Sequence, residues 1–424
     1  MTGLAGATLI GMAGYRSLAR NRDFTVLWLG DTASELGTQL TLIAFPLVTY
    51  AVSGSALSAA WVQALYLIGI VAALLPAGVL VDRLDRRTVM RATAACGTLL
   101  FSSLVVASVF FEITVPHLLV VALLGGLASG LYEPAQVSAL RAVVSDEELP
   151  VALSQNQARS HVAGLVGGPM GGFLFSVTRW LPFAVDALSF LAVWITAARI
   201  RTSLAPPDRA PQDVHGWWGD LRAGIGFVTS RAFFRVLLTW AALANLLSNA
   251  LFFILVLRLI RNGESPVLIG MVSLAIALGG LLGSLVAPRV IDRVPTGALT
   301  VIIGWWCVLP LVPLIWLEQA WATMVCMFAM MLLNPIGNAG ISSYRMAITP
   351  RELQGRVGAA SRFLVSALMP LAPLLGGWLL EHHGDQTAVA VPVVGAVLLA
   401  VLLTSSRAIR SVPRPDHWQV PAQV

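Results

Sequence analysis

Long apolar runs separated by short polar breaks dominate this chain. Many of the runs are long enough to cross the hydrocarbon core of a bilayer, which takes about 20 residues in an α-helix. The runs are continuously apolar rather than alternating, so the pattern indicates membrane-spanning helices and excludes a β-barrel. We place twelve helices, at residues 24–50, 58–80, 90–111, 115–140, 150–177, 181–198, 232–258, 266–288, 298–317, 319–343, 354–380 and 386–405.

The longest polar break separates the sixth predicted helix from the seventh. It contains the proline-rich segment "APPDRAPQD", which is typical of a linker. The following "HGWWGDLRAGIGFV" has paired tryptophans and a helical apolar period, so we expect a short helix in the membrane interface. The predicted units are a six-helix bundle at 1–198, a cytoplasmic linker at 199–231, a second six-helix bundle at 232–406 and a cytoplasmic tail at 407–424.

An internal repeat supports the division into two bundles. The segment "LRAVVSDEELPVAL" precedes "GGPMGG" in the first half, and "YRMAITPRELQGRV" precedes "LAPLLGG" in the second. A shift of 204 residues maps Arg141 onto Arg345 and Pro169 onto Pro373. Internal repeats of this kind build transporters whose site lies near mid-membrane between the repeats. The sequence therefore predicts an all-α membrane protein made of two pseudo-symmetric six-helix bundles.

Composition and charge agree with a membrane protein. Only 11% of the 424 residues are charged, against about a quarter in a soluble protein, and 57% are hydrophobic. All 27 basic residues are arginines, and those in loops fall mostly on one side, together with both termini. The positive-inside rule makes that side cytoplasmic. Because we find no nucleotide-binding loop and no fixed set of metal ligands, we expect no cofactor and an energy source other than ATP.

A charged segment, "PAGVLVDRLDRRTVM", ends the second predicted helix. It fits the spacing G-x-x-x-D-R-x-x-R-R and resembles the loop between helices 2 and 3 of the major facilitator superfamily. With twelve spans and a six-helix repeat, the resemblance covers nearly the whole chain. One departure is Asp85, where many members have glycine. The residues that match the motif are Gly78, Asp82, Arg83, Arg86 and Arg87.

The resemblance implies a conformational role for this motif. In the family, its acid approaches the N-terminus of the eleventh helix, which is expected here near Gln354. Asp82 would accept backbone N–H groups at that positive helix end, with Arg141 as an ion-pair partner and Gly78 allowing close helix packing. Such a clasp holds the halves together on the cytoplasmic side when the cavity opens outward. The alternative is that the motif's arginines only set the topology.

The fifth predicted helix contains a second pattern. Its glycines and proline resemble the signature G-x-x-x-G-P-x-x-G of drug–proton antiporters in the superfamily. The match is partial, since Gln155 stands in place of an upstream glycine and Phe173 in place of a later one. Small residues around a proline suit a hinge with a close helix contact, and an ordinary glycine-rich helix is the alternative. The matching residues are Gly164, Gly168, Pro169 and Gly172.

Ionisable residues inside predicted spans are candidates for transport, because burying them in a membrane is costly. Asp31, Glu35 and Gln39 lie at i, i+4 and i+8 on one face of the first predicted helix, which lines the cavity in this family. Two carboxylates one turn apart cannot both carry charge cheaply there, so we expect one to exchange protons. Glu35 is the preferred coupling acid and Asp31 the second. The alternative is that Asp31 pairs with an arginine or caps backbone.

Further candidates lie on other predicted helices. Glu133 is either another proton site or a partner of Arg159, and Asp186 is interpreted as a structural hydrogen-bonding group. Aromatic groups and amides offer an adaptable apolar wall with a few oriented polar contacts, although ordinary helix packing explains them equally well. The predicted cavity residues, besides Gln39, are Tyr132, Gln136, Trp240, Asn245, Asn249, Phe252, Asn334 and Asn338.

Short phrases such as "SGSAL", "DALSF" and "GRVGAASRFL" resemble the bacterial exporter branch that contains macrolide and siderophore efflux proteins. The resemblance implies a proton-coupled exporter, not an enzyme, working by alternating access on drug-like or natural-product molecules. We expect an amphiphilic substrate, protons and lipid as partners, no nucleic acid, a monomer, and a bacterial cytoplasmic membrane location. Uptake of a small organic solute by symport and a non-transporting membrane sensor or scaffold are the alternatives.

Overall fold

The computed structural model describes residues 17–18, 20–205, 214–291, 293–350 and 353–418, and the regular structure in these ranges is helical. The first half of the chain forms six long helices joined by short turns. Their bounds are α1 Arg22–Ser53, α2 Ala56–Arg83, α3 Arg86–Phe110, α4 Val115–Val143, α5 Leu149–Val177 and α6 Leu181–Arg199.

Local capping explains where several of these helices begin and end. Asn21 caps α1 because its side-chain oxygen accepts the Phe24 N–H at 3.0 Å. Gly54 ends α1 with φ 66°, a conformation that glycine adopts without steric cost, and its N–H bonds the Tyr50 carbonyl at 2.8 Å. Asp85 caps α3 by accepting the N–H of Arg87 at 2.9 Å. The acid that departs from the family pattern therefore has a structural use.

The second half begins with a helix that precedes the next set of long helices. The bounds are α7 Val214–Ser230, α8 Ala232–Arg261, α9 Pro266–Ile291, α10 Thr296–Trp306, a 3₁₀ helix Leu309–Ile315, α11 Ala320–Ala347, α12 Gln354–Ser366, α13 Leu371–Ser405, α14 Arg407–Arg410 and a 3₁₀ turn Pro415–His417. The expected linker helix is thus present as α7; its position in a membrane interface stays a prediction.

Each of the twelve predicted segments falls on described helix, but two are not continuous. The segment predicted at 298–317 is α-helical only to Trp306, since Pro310 and Pro313 lack the N–H groups that an α-helix needs. The segment predicted at 354–380 breaks between α12 and α13, just before Leu371. Helix α13 then continues past a non-helical Gly384 into the last predicted segment.

Ten stretches in the described ranges are long and apolar enough to cross a membrane. The count is below twelve for two reasons. The stretch Gln354–Ser405 contains two of the predicted segments and counts once. Helix α5 is not among the ten; its sequence is rich in glycine and includes the polar run "SQNQARSH". The all-α, multi-pass architecture predicted from the sequence is confirmed.

The chain divides into two compact units, Met1–Gly54 with Leu65–Pro211 and Ser55–Ala64 with Gln212–Val424. Helix α2 therefore begins in the second unit and continues in the first. In the first unit, aromatic rings fill the space between α1, α3 and α6, with centroid distances from 5.7 to 6.3 Å for the pairs of Phe45 and Phe101, Phe45 and Phe183, and Phe101 and Phe190. This packing fixes α1 against α3 and α6.

Candidate functional site

A buried carboxylate on α1 organises the polar centre of the first unit. Asp31 is 3% exposed, and its two oxygens receive three donors from α4 and α5. Tyr132 Oη donates to Oδ1, Gln136 Nε2 donates to Oδ2 at 2.7 Å, and Arg159 Nη1 lies 3.3 Å from Oδ2. A buried ion pair is tolerated only when further hydrogen bonds satisfy its members, and Tyr132 and Gln136 supply them.

The partner of Arg159 decides between two sequence hypotheses. The sequence offers Glu133 as a partner of Arg159, but the structure pairs Arg159 with Asp31. The alternative that Asp31 pairs with an arginine therefore describes this structure. Spacing along the chain could not show the pair, because Asp31 and Arg159 are 128 residues apart and meet only through the packing of α1 on α5.

Glu35 lies one turn further along α1 and has a different environment. It is partly exposed, and Gln39 Nε2 donates to its Oε1 at 3.4 Å, near the upper limit for a hydrogen bond. No cation lies within salt-bridge distance of Glu35 in the part of the chain that the structure describes. The two neighbouring acids are thus unequal, since Asp31 is held by a guanidinium and Glu35 is not.

A cavity of about 210 Å³ opens beside these groups, within the first unit. Both acids of α1 line it, and α4 adds Glu133 and two of the donors to Asp31, so ten of its twelve lining residues are polar or ionisable. The lining residues are Asp31, Ser34, Glu35, Thr38, Tyr66, Ile70, Ser129, Tyr132, Glu133, Gln136, Arg159 and Phe190. The structure places Tyr132 and Gln136 beside the acids of α1, and their contact with a substrate stays a prediction.

Glycines of α5 set the distance between α5 and α1. A Cβ atom on Gly167 would lie 2.3 Å from Gln39 Cβ, and one on Gly171 would lie 3.3 Å from Leu40 Cα. These two glycines are spaced four residues apart, as in close-packed membrane helices. Among the motif residues, Gly168 and Gly172 are buried, whereas a Cβ on Gly164 would meet no atom within 4 Å. The motif did not include Gly167 and Gly171, although their own G-x-x-x-G spacing could have indicated this contact.

The motif after α2 makes its described contacts with the segment that follows α6. Arg87 Nη2 donates to the carbonyls of Ile200 and Thr202 at 2.8 and 3.0 Å. Arg86 Nη1 donates to the carbonyl of Ala205 at 2.6 Å. From α1, Asp23 Oδ2 accepts the N–H of Thr202 at 2.7 Å. These contacts tie down residues 200–205, which we call the strap.

The remaining motif residues make no such contact in the described ranges. Arg83 and Arg141 are exposed, and a Cβ on Gly78 would meet nothing within 4 Å, so the close packing expected at Gly78 is not seen in this structure. The side chain of Asp82 lies outside the described part of the chain. The clasp between Asp82 and the start of α12 therefore stays a prediction.

The amides predicted from the second half lie in two i, i+4 pairs. On α8, Asn245 Nδ2 donates to the carbonyl of Ala241 and Asn249 Nδ2 to that of Asn245, each at 2.8 Å. On α11, Asn338 Nδ2 donates to Asn334 Oδ1 at 2.8 Å. The amide nitrogens of α8 bond to their own helix, which leaves the oxygens of Asn245 and Asn249 as acceptors.

The two predicted aromatic residues of α8 are both half-buried. Phe252 lies within the more buried end of the helix, and Trp240 packs against an apolar cluster of the second unit. The cluster residues are Leu237, Ile341, Leu403 and Ile409. At least part of the Trp240 side chain therefore serves ordinary packing.

A second buried acid, Asp186 on α6, forms a separate cluster against α1. It is 1% exposed, accepts a hydrogen bond from Thr41 Oγ1, and accepts another from Ser189 Oγ at 3.1 Å. Gly37 on α1 leaves room for this cluster, since a Cβ there would lie 2.3 Å from Asp186 Oδ1. The arrangement fits the structural interpretation of Asp186.

Ionisable groups buried around an internal cavity of a multi-pass helical protein are typical of membrane transporters. Residues 27–370 match the Major Facilitator Superfamily, so the chain belongs to that family. It is therefore a transporter and not an enzyme.

The chain is also similar to characterised relatives over most of its length. It is 27% identical over 410 residues to the multidrug efflux pump Tap of Mycolicibacterium fortuitum, which covers 89% of this chain and 95% of the relative. It is 27% identical over 431 residues to the multidrug efflux pump Tap of Mycobacterium tuberculosis, which covers 95% of this chain and 98% of the relative.

Solved structures agree on the fold. A bacterial homologue of the iron transporter ferroportin, in an inward-facing state, superposes with a TM-score of 0.69 at 15% identity, covering 90% of this chain and 98% of that one. The nucleoside transporter NupG superposes with a TM-score of 0.68 at 13% identity over 90% of this chain and 98% of that one. At these identities the likeness shows the fold alone.

Proposed function

We propose that this transporter exports drug-like or natural-product small molecules in exchange for protons, and that Glu35 carries the proton. The similarity to the Tap multidrug efflux pumps along nearly the whole chain supports export of drug-like molecules. The observation that carries the proton step is the contrast on α1 between Glu35, which has no cation beside it in the described ranges, and Asp31, which has Arg159.

The contrast matters because a proton carrier must exchange its proton during the cycle. Both oxygens of Asp31 are engaged by the guanidinium of Arg159 and by the donors Tyr132 and Gln136. Glu35 receives one long hydrogen bond from Gln39 and lines the cavity. No cation in the described ranges ties up its carboxylate, so Glu35 is the acid to which we assign the proton.

The cycle follows from alternating access. With the cavity open to the cytoplasm, Glu35 releases its proton and the carboxylate attracts the polar or cationic part of a substrate. With the cavity open outward, a proton binds Glu35 and displaces the substrate. The pair of Asp31 and Arg159 is neutral overall and keeps Tyr132 in place, while Glu133 adds a second acid to the wall.

The predicted substrate contacts of the second half are neutral. Amides and aromatic rings there offer hydrogen-bond acceptors and apolar surface, whereas the acids that attract a cation lie in the first half. The proposed substrate is accordingly amphiphilic, and neutral or cationic. We further propose a monomer in a bacterial cytoplasmic membrane with both termini in the cytoplasm, on the arginine distribution.

The experiment uses inverted membrane vesicles on which a proton gradient is imposed. Ethidium, a fluorescent drug-like cation, is the first transport probe, and uncharged fluorescent compounds are tested after it. Wild type should concentrate at least one probe inside the vesicles when the lumen is acidic. The Glu35→Gln variant keeps the size and hydrogen bonding of the side chain but fixes it in a neutral form. It should lose uphill transport and retain exchange of probe across vesicles at equal pH.

The matched control is Glu112→Gln, because Glu112 is an exposed acid at the end of α3. It should behave as wild type. Uphill transport by Glu35→Gln at the wild-type level would reject Glu35 as the coupling acid. Proton-driven movement in the opposite direction would indicate uptake by symport, and no movement of any probe with the wild-type protein would favour the sensor or scaffold.

A further inference from the structure

The beginning of α2 is docked on α13 through a carboxylate. Glu381 Oε2 accepts the backbone N–H of Ala56, the first residue of α2, at 3.1 Å. Glu381 Oε1 lies 3.4 Å from Ser55 Oγ, which donates to it. These residues all belong to the second unit, which includes Ser55–Ala64. From Leu65 onward, α2 is part of the first unit.

The same face of α13 also makes a close backbone approach to α2. Gly377 lies one helical turn before Glu381, and a Cβ atom on it would be 2.4 Å from Ala60 Cβ and 2.9 Å from the carbonyl oxygen of Ala56. Any residue larger than glycine would therefore push the start of α2 away. Glu381 and Gly377 thus act on the first two turns of α2 together.

Electrostatics favours this arrangement. The first turn of a helix carries unpaired N–H groups and the positive end of the helix dipole, so a carboxylate there is stabilising. Helix α2 has no acidic residue in its own first turn. Glu381 of α13 supplies the negative charge at the N-terminus of α2. This stabilisation of α2 is lost whenever α2 and α13 separate.

We propose that Glu381 and Gly377 form a latch that holds the beginning of α2 against α13 in one state of the transport cycle and releases it in the other. The arginine distribution predicts that this end of α2 lies on the outer side. Alternating access requires contacts on that side to separate when the cavity opens outward. The opposite end of α2 carries Asp82, whose clasp with the start of α12 is predicted from the sequence.

The latch rests on alternating access by the proposed transporter and does not depend on proton coupling. The test therefore measures how fast a reagent added from outside reaches the cavity, in the absence of substrate and of a proton gradient. Thr38 lines the cavity and is replaced by cysteine in a protein whose natural cysteines, Cys96, Cys307 and Cys326, are changed to alanine. A membrane-impermeant maleimide added to right-side-out vesicles then reports opening toward the outer side.

Loss of the latch should increase the labelling rate of Thr38→Cys. Removing an N-cap acceptor shifts a two-state equilibrium about fivefold to tenfold, so we expect an increase of that order for Glu381→Ala and a smaller one for Glu381→Gln, which keeps an acceptor without the charge. Gly377→Ala should act in the same direction. Adding Ala60→Gly to Gly377→Ala removes the 2.4 Å contact and should partly reverse its effect.

The matched control is Asp385→Asn, since Asp385 lies four residues beyond Glu381 on α13 but pairs with Arg261 of α8 at 2.8 Å. It should leave the labelling rate unchanged. The latch is refuted if Glu381→Ala and Gly377→Ala label like the parent, if Asp385→Asn raises the rate as much as they do, or if the parent is already labelled at the maximal rate. Rates are normalised to monodisperse protein from gel filtration, so a variant that folds poorly is not counted as open.

Discussion

Arg159 Nη1 on α5 lies 3.3 Å from Asp31 Oδ2 on α1, and the two side chains are only 7% and 2% exposed. The pair joins two helices that are distant in sequence, and Tyr132 and Gln136 of α4 complete its hydrogen bonding. Replacing one member of such a pair leaves the other charged and buried, which is far more costly than replacing both.

The first prediction follows from that asymmetry. Arg159→Met should destabilise the first unit by about 3–5 kcal/mol, because it leaves the Asp31 carboxylate without its cation. Asp31→Asn should be harmful for the same reason. The double variant should recover most of the loss, since it removes both charges. Thermal unfolding of the four proteins in detergent gives the coupling energy of the pair.

Arg141→Gln serves as the control, because Arg141 is exposed at the end of α4. Its unfolding temperature should match that of wild type. Additive losses in the double variant would mean that Asp31 and Arg159 contribute independently, and the pair would then not be a structural unit.

The second prediction separates two glycines of α5. Gly167→Ala places a Cβ atom 2.3 Å from Gln39 Cβ, so it should force α5 away from α1 and lower both stability and transport. Gly164→Ala meets no atom within 4 Å and should be neutral or stabilising, because alanine is favoured over glycine in a helix by about 1 kcal/mol.

Unfolding temperature and ethidium transport, measured on both alanine variants, decide whether Gly167 and Gly164 differ in this way. If the two alanine variants behave alike, the close contact of α5 with α1 is not what requires glycine. Equal harm from both would support the role that the antiporter-like signature gives to Gly164.

The sequence predicts most of the fold but only part of the candidate site. Hydropathy and arginine placement depend on local composition, so the helices and the family motif could be read directly from the chain. Asp31 and Glu35 were recognisable because two acids in an apolar run are costly. The identity of the cation beside Asp31 was not, because Arg159 reaches Asp31 only after α1 and α5 have packed. The latch residue Glu381 was missed for a similar reason, since an acid next to a predicted loop looks like ordinary surface charge.

The third prediction concerns the strap at residues 200–205. Asp23 Oδ2 accepts the backbone N–H groups of Arg201 and Thr202 at 3.0 and 2.7 Å, and Arg87 holds carbonyls of the same segment. Asp23→Ala should therefore raise amide hydrogen exchange at Arg201 and Thr202 by about tenfold or more, the effect of losing hydrogen bonds to a charged group. Arg87→Gln should loosen the strap in the same way.

Arg83→Gln tests whether every arginine of the motif is needed to order the strap. Arg83 is exposed, so its loss should leave exchange in the strap unchanged. Unaltered exchange in Asp23→Ala and Arg87→Gln as well would mean that these contacts do not order the segment, and the topology-only interpretation of the motif would gain support.

The last prediction concerns Asp186, the other buried acid of the first unit. Its oxygens accept hydrogen bonds from Thr41 and Ser189, and no cation lies within salt-bridge distance of it in the described ranges. Asparagine keeps the shape and an acceptor oxygen, so Asp186→Asn should fold and retain uphill proton-driven efflux. Asp186→Leu leaves the hydroxyl of Thr41 without its acceptor and should cost about 1–3 kcal/mol of stability.

Transport of ethidium against a gradient, measured beside unfolding temperature, separates structure from coupling at this position. A structural Asp186 predicts that stability falls with Asp186→Leu while Asp186→Asn still couples. Gly37→Ala should resemble Asp186→Leu, because its Cβ atom would enter the space occupied by Asp186 Oδ1 and Ser189 Oγ. Loss of coupling in a stable Asp186→Asn protein would reverse the assignment, since an amide differs from the acid there chiefly in being unable to bind and release a proton.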